Sequence, residues 1–270
     1  MSFAPKVVRT SSLLDFKTQG RKFSCLTSYD HLTAGIFDEA GIDVILVGDS
    51  AANNSLGYST TLPITVDELV VFGRAVVTAT KRALTVIDMP FGSYEEGAEV
   101  ALANAIRLIK ETGAAAVKLE GGQRSANQIR AIANAGIPVM AHIGFTPQSV
   151  NGLGGYKVQG RGDGAQQLHD DALAVQEAGA FAVVLEMTPA PIAKEISEGL
   201  IIPTIGIGAG PNTDGQILVW TDFAGLNGTE VPKFVKLYAQ MRTDLIAAAG
   251  EYRREVEEGI FPSKDNFFES

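Results

Sequence analysis

The sequence predicts an α/β fold, a single (β/α)8 barrel of the TIM type, from two patterns. Eight short apolar, β-branched-rich segments recur along the 270 residues. Each is bounded by Gly, Pro or polar residues, as parallel strands buried on both faces should be. Helical patterns fill the spaces between them, and repeated alternation of strand and helix is the layout of such a barrel. A third observation counts against an open doubly wound sheet. No strand leads into a G-x-G-x-x-G turn with an acidic partner further on, and "GIGAG" at 206–210 is a weak glycine match that comes too late.

The elements follow in order. Strands are expected in KFSCLTSYD (22–30), VILVGDS (44–50), LTVIDMPFG (84–92), AAVKLEGG (115–122), PVMAHIGF (138–145), AFAVVLEM (180–187), PTIGIGAG (203–210) and GQILVWTD (215–222). Between them, TAGIFDEAG ends at Gly41, and TVDELVVFGRAVVTAT opens on a Thr-Val-Asp-Glu capping signal. GAEVALANAIRLIKETG closes on Gly113, where a helix end favours a left-handed residue. SANQIRAIANAG and GAQQLHDDALAVQEAG also close on Ala-Gly before an apolar strand. No linker-like composition interrupts the pattern. One domain is expected over 1–270, with a short N-terminal extension to about residue 20 and a C-terminal tail from about residue 250.

Composition narrows the function. Apolar residues make up 46% of the chain and charged residues 20%, enough for a large core and not a disordered composition. A net charge of −9 disfavours nucleic acid and membrane surfaces as partners. Cys25 is the one cysteine, so no intramolecular disulfide and no thiolate metal cage can form, and it reads as a small core residue. Neither a membrane span nor a signal-peptide core is present, which points to the cytoplasm.

In a barrel, reactive groups collect at the C-terminal ends of the strands. Here nearly every strand finishes on a polar group: Tyr29 and Asp30, Asp49 and Ser50, Asp88, Lys118 and Glu120, His142, and Glu186. Each alone has a second explanation. A strand-end Asp can cap the next helix, a lone His can be a satisfied core residue, and Lys118 can pair with Glu120, two residues along the same face. Together they converge on one mouth, and burying that much charge without a metal or mutual pairing is expensive. Hard oxygen donors from Asp49, Asp88 and Glu120 suit Mg2+. Zinc does not fit, because His142 has no second His or Cys at ligand spacing.

From about residue 10 to about 262 the chain resembles the ketopantoate hydroxymethyltransferase family. The resemblance is carried by TSYD (27–30), VGDS (47–50), TTLPIT (60–65), DMPFGSY (88–94), VKLEGG (117–122), HIGFTPQS (142–149), GGYKVQGR (154–161), IPTIGIGAG (202–210) and DGQILV (214–219). It implies a barrel of the phosphoenolpyruvate/pyruvate type with one Mg2+ per subunit held by Asp49 and Asp88, and with Glu120 at the metal through water. It further implies that Ser50, Lys118 and His142 hold the keto acid together with Asp49 and Asp88, and that Glu186 is the general base. The implied reaction transfers a hydroxymethyl group from 5,10-methylenetetrahydrofolate to 3-methyl-2-oxobutanoate, giving 2-dehydropantoate and tetrahydrofolate, the first step of pantothenate biosynthesis. A homo-oligomer, a decamer, is implied as well. One stretch departs from the pattern: Ala51, Ala52, Asn53 and Asn54 follow Ser50 where the family reads Leu-Gly-Met, and Ser59 stands in place of Asp.

Three rival readings stand beside this one. Lys118 as a Schiff-base nucleophile would make a class I aldolase. A phosphoenolpyruvate mutase or lyase would place a phosphate at the GIGAG glycines. A non-catalytic barrel would only bind a metabolite.

Overall fold

The structure, a computed structural model, describes residues 6–228 and 231–268. Eight strands form a closed, all-parallel barrel in sequence order. They are β1 (Phe23–Thr27), β2 (Val44–Val47), β3 (Leu84–Asp88), β4 (Ala116–Glu120), β5 (Val139–Gly144), β6 (Ala182–Glu186), β7 (Thr204–Ile207) and β8 (Gly215–Leu218). All eight expected strands are present. Each is shorter than the segment expected for it, and the last stops at Leu218 because Trp220 opens a helical turn.

The helices are α1 (Thr10–Thr18), α2 (His31–Glu39), α3 (Ala51–Asn54), α4 (Val66–Ala79), α5 (Ala98–Thr112), α6 (Ala126–Asn134), α7 (Val150–Leu153), α8 (Gly164–Glu177), α9 (Ala190–Gly199), α10 (Trp220–Phe223) and α11 (Met241–Glu257). The N-terminal extension is itself helical, and α1 buries Leu13 completely. Strands β2, β3 and β4 are buried at every position, which is why β2 runs apolar without alternation and the other two depart from that only at Thr85, Asp88, Lys118 and Glu120. Thr65 caps α4: its hydroxyl accepts from the Glu68 amide at 3.2 Å, and Glu68 accepts from the Thr65 amide at 2.8 Å. The Ala-Gly closures behave as read. Gly41, Gly136 and Gly179 all take left-handed backbone, φ +86°, +86° and +99°, where a side chain would be strained.

The strand–helix alternation fails once. Residues 208–214 join β7 to β8 without a helix. Asp214 stabilises that turn by accepting from the Thr204 amide at 2.8 Å and from the Lys17 ammonium of α1 at 2.9 Å. The chain forms two compact units, residues 1–219 and 220–270. The first contains the barrel and the second contains α10 and α11. Among the described residues no helix is long and apolar enough to cross a membrane.

Candidate active site

Strand register builds the site. Parallel pairing sets Asp88 beside Lys118, Glu120 beside His142, and Gly144 beside Glu186. Because side chains alternate along a strand, Lys118 and Glu120 share one face of β4 and meet their neighbours at the same level. The Lys118 ammonium lies 2.7 Å from Asp88 Oδ1 and 3.3 Å from His142 Nδ1. His142 is held from both sides, with Nδ1 3.5 Å from Glu120 Oε1 and Nε2 3.2 Å from Glu186 Oε2. The possible Lys118–Glu120 pair is therefore superseded: the lysine reaches across the strands to Asp88.

The loop after β2 adds Asp49 and Ser50. The Asp49 amide donates to Asp88 Oδ2 at 2.8 Å. Gly48 makes room for this, since a Cβ there would lie 2.7 Å from Ser50 Oγ. Ser50 Oγ bonds the buried Tyr29 hydroxyl at 2.8 Å. Asp30 does not join the site. It caps α2, accepting from the Thr33 amide at 2.9 Å and the Thr33 hydroxyl at 2.7 Å.

Two residues that spacing does not single out complete the arrangement. Gln148 is buried; its side-chain amide donates to Asp49 Oδ2 at 2.9 Å and Met89 O at 3.1 Å, and its backbone amide donates to Glu120 Oε2 at 3.0 Å. The Tyr94 hydroxyl donates to Gln148 Oε1 at 2.6 Å and accepts from the Glu120 amide at 3.3 Å. Both stand in the stretches DMPFGSY and HIGFTPQS, just past a strand end. That position is the only signal of them in the sequence.

Burial divides the site into floor and rim. Asp49, Asp88, Lys118, Glu120 and His142 are all buried, whereas Ser50 and Glu186 are half-buried. Glu186 sits at a deliberate bend. Gly144, φ +89°, lets β5 pass so close that a Cβ would lie 2.3 Å from Glu186 O, and Met187 takes a left-handed φ of 47°. A non-glycine residue in that region costs about 1–3 kcal/mol, and such strain concentrates where a side chain must be aimed.

Electrostatics follow from the same burial. Burial and the neighbouring Glu120 push Asp49 above the usual carboxylate range, against the opposing pull of Lys118. Burial raises Asp88 to about 6 although Lys118 lowers it. For Lys118, burial works against the charge, yet Asp88, Glu120 and Asp49 outweigh it and hold the ammonium above its ordinary value. Burial and Lys118 also oppose the charge on His142, but the neighbouring Glu120 and Glu186 carboxylates hold it up at about 9. Four carboxylates thus face one ammonium and one imidazole ring. The excess negative charge suits a cation, and the buried oxygens Asp88 Oδ1 and Glu120 Oε1 are met only by the ion-pair contacts from Lys118 and His142. Among the described residues no three His, Cys, Asp or Glu side chains form a ready cage.

Known proteins resemble this chain along nearly its whole length. The family model described as ketopantoate hydroxymethyltransferase matches residues 7–264. A relative from Leifsonia xyli subsp. xyli, named 3-methyl-2-oxobutanoate hydroxymethyltransferase, is 62% identical over 98% of this chain and 96% of its own. One of the same name from Mycobacterium tuberculosis is 58% identical over 97% of this chain and 93% of its own. Among solved structures, a phosphonopyruvate hydrolase complex with oxalate and Mg++ superposes with a TM-score of 0.63 at 16% identity, covering 96% of this chain and 93% of that one. A 2,3-dimethylmalate lyase of the PEP mutase/isocitrate lyase superfamily gives 0.60 at 15%, covering 97% and 93%. At such identities the structural likeness concerns the fold, a barrel shared with that superfamily. With the family model spanning nearly the whole sequence and relatives this similar, the chain belongs to the ketopantoate hydroxymethyltransferase family.

Proposed function

We propose that this chain transfers a hydroxymethyl group from 5,10-methylenetetrahydrofolate to 3-methyl-2-oxobutanoate. One water is consumed, and the products are 2-dehydropantoate and tetrahydrofolate, the opening step of pantothenate biosynthesis in the cytoplasm. The observation that carries the reading is a half-buried carboxylate, Glu186, aimed across a floor of buried charge. That is the layout needed to take a proton from a weak carbon acid and hold the negative charge that results.

Asp49 and Asp88 would hold a Mg2+ ion, with Glu120 reaching it through water. When bound, the ion supplies positive charge for the keto oxygen and carboxylate of the substrate. Lys118 adds its own charge at the same level of the barrel. Ser50, at the rim and tied to Tyr29, orients the keto acid. Glu186 removes the C3 proton, and the resulting carbanion attacks the one-carbon unit of the folate. His142 Nε2 lies 3.2 Å from Glu186 Oε2, a position from which the ring aims the base. Rigid strand ends keep these groups in register through the reaction.

The rivals fit less well. An imine nucleophile must be a neutral amine, whereas Lys118 is an ion-paired ammonium. Gly208 and Gly210 adopt φ +65° and +78°, the tight-turn use of the GIGAG glycines. The exposed apolar residues of α11 support a self-associating subunit, as the family resemblance implied. The deciding experiment is product analysis with keto acid, methylenetetrahydrofolate and Mg2+, before and after EDTA. We expect 2-dehydropantoate only with metal present; a product with any other carbon skeleton, or none, would sink the reading.

A further inference from the structure

The strand ends account for the keto acid and leave no surface assigned to the second substrate. The long connection after β5 offers one. Phe145 is fully buried and its amide donates to Glu186 O at 2.9 Å, so it stands directly beside the base. The ring of Tyr156 packs on Phe145 with centroids 4.9 Å apart and planes inclined by 33°. Three residues later the Gln159 amide donates to Met187 O at 2.9 Å. Residues 156–159 are thus fastened to residues that flank Glu186, yet Tyr156 is 70% exposed. An isolated exposed aromatic on a surface means little. This one is held against a buried ring that adjoins the base, and most of its surface is open. Lys157 and Arg161 are exposed on the same segment, with Asp163 the nearest acid in sequence, in a chain of net charge −9.

We propose that the open face of Tyr156 is the platform on which the aromatic part of the folate donor stacks, with Lys157 and Arg161 meeting the donor's carboxylates. This rests on the hydroxymethyl-transfer reading and deepens it. Two planar systems, a pyrimidinone ring and an aryl ring, followed by anionic groups are the chemistry that an aromatic face flanked by cations recognises. The Tyr156 hydroxyl also lies in the field of the site. Partial desolvation, although the residue as a whole is exposed, and then Glu186 and Asp49 push it above its ordinary value.

The test separates the two substrates, because exchange of the keto acid's C3 proton with solvent deuterium needs no folate. In the full-length Mg2+-loaded enzyme, Tyr156→Ala should raise KM for methylenetetrahydrofolate and weaken tetrahydrofolate binding in calorimetry. The expected factor is roughly five- to hundred-fold, the usual loss on removing a stacking ring. The exchange rate and the keto-acid KM should stay within about two-fold, and Tyr156→Phe should behave as wild type. Tyr156→Leu, which keeps bulk but not a ring, should resemble the alanine variant and guards against a folding artefact. Lys157→Ala with Arg161→Ala should reduce the salt dependence of the donor KM. Unchanged tetrahydrofolate affinity in Tyr156→Ala would overturn the platform. So would a parallel loss of exchange, which would make Tyr156 part of the keto-acid pocket. A wild-type enzyme that exchanges C3 yet forms no 2-dehydropantoate would instead overturn the hydroxymethyl reading.

Discussion

Glu186 and Gln148 show how unequal the roles of single residues are. Glu186→Gln keeps shape and hydrogen bonding but removes basicity. The variant should bind keto acid and Mg2+ almost normally and lose C3 deuterium exchange by roughly two to four orders of magnitude, the range for a general base. Normal exchange in the folded variant would refute the assignment. Asp49→Ala and Asp88→Ala should each weaken Mg2+ binding, read by calorimetry, because each removes a charge and a fixed oxygen. Wild-type affinity in both would show the metal to be elsewhere. Gln148 touches Asp49, Glu120, Met89 and Tyr94 at once. Gln148→Met preserves bulk while stripping the side-chain bonds to Asp49 and Tyr94. It should lower both thermal stability and Mg2+ affinity, since buried polar groups left unpaired cost about 1–3 kcal/mol each.

Elements carry the stability that holds those residues in place. The α4 capping box joins Thr65 and Glu68 reciprocally. Thr65→Ala should destabilise the protein by about 1 kcal/mol in urea unfolding, the ordinary value of an N-cap, with little change in kcat. On β1, Cys25 is buried, and burial followed by the Asp43 carboxylate pushes its thiol well above its ordinary value. The folded chain keeps that proton, whereas the unfolded chain releases it near pH ~8.5. Stability from this group is therefore full below that pH and is lost as pH rises past it. Urea unfolding from pH 7 to 10 should show a decline that is shallower in Cys25→Ala; equal slopes would contradict the argument. The variant stretch after Ser50 behaves as an element too. In α3, Ala51 and Ala52 are fully buried, and the Asn53 and Asn54 amides bond Tyr58 O at 2.9 Å and Ser50 O at 2.8 Å. The amides thus serve the local backbone next to a rim residue.

The second unit, residues 220–270, carries α11, a 17-residue helix none of whose side chains its own unit buries. Met241, Leu245, Tyr252 and Val256 recur at helical spacing, each exposed by 36% or more. An apolar stripe of this kind is a surface suited to packing against a partner. Leu245→Asp with Tyr252→Asp should shift sedimentation toward smaller species while the circular dichroism stays the same. An unaltered size distribution would show that the stripe is not the interface.

The order of strands and helices, the caps and the glycine stops were legible in the sequence because each depends on neighbours a few positions away. So was the placement of carboxylates, a lysine and a histidine at one end of the barrel, since strand direction alone puts them there. Which of these groups would meet was not legible. Lys118 pairs with Asp88, not with Glu120, because the register of β3 on β4 brings Asp88 alongside. Asp30 turned into a helix cap while Asp49 stayed in the site, though both are strand-end acids. Gln148, an unremarkable amide in a loop, became the residue that joins three strand ends. Spacing within one segment fixes which way a side chain faces. Only closure of the barrel, which sets strand against strand, decides what it faces.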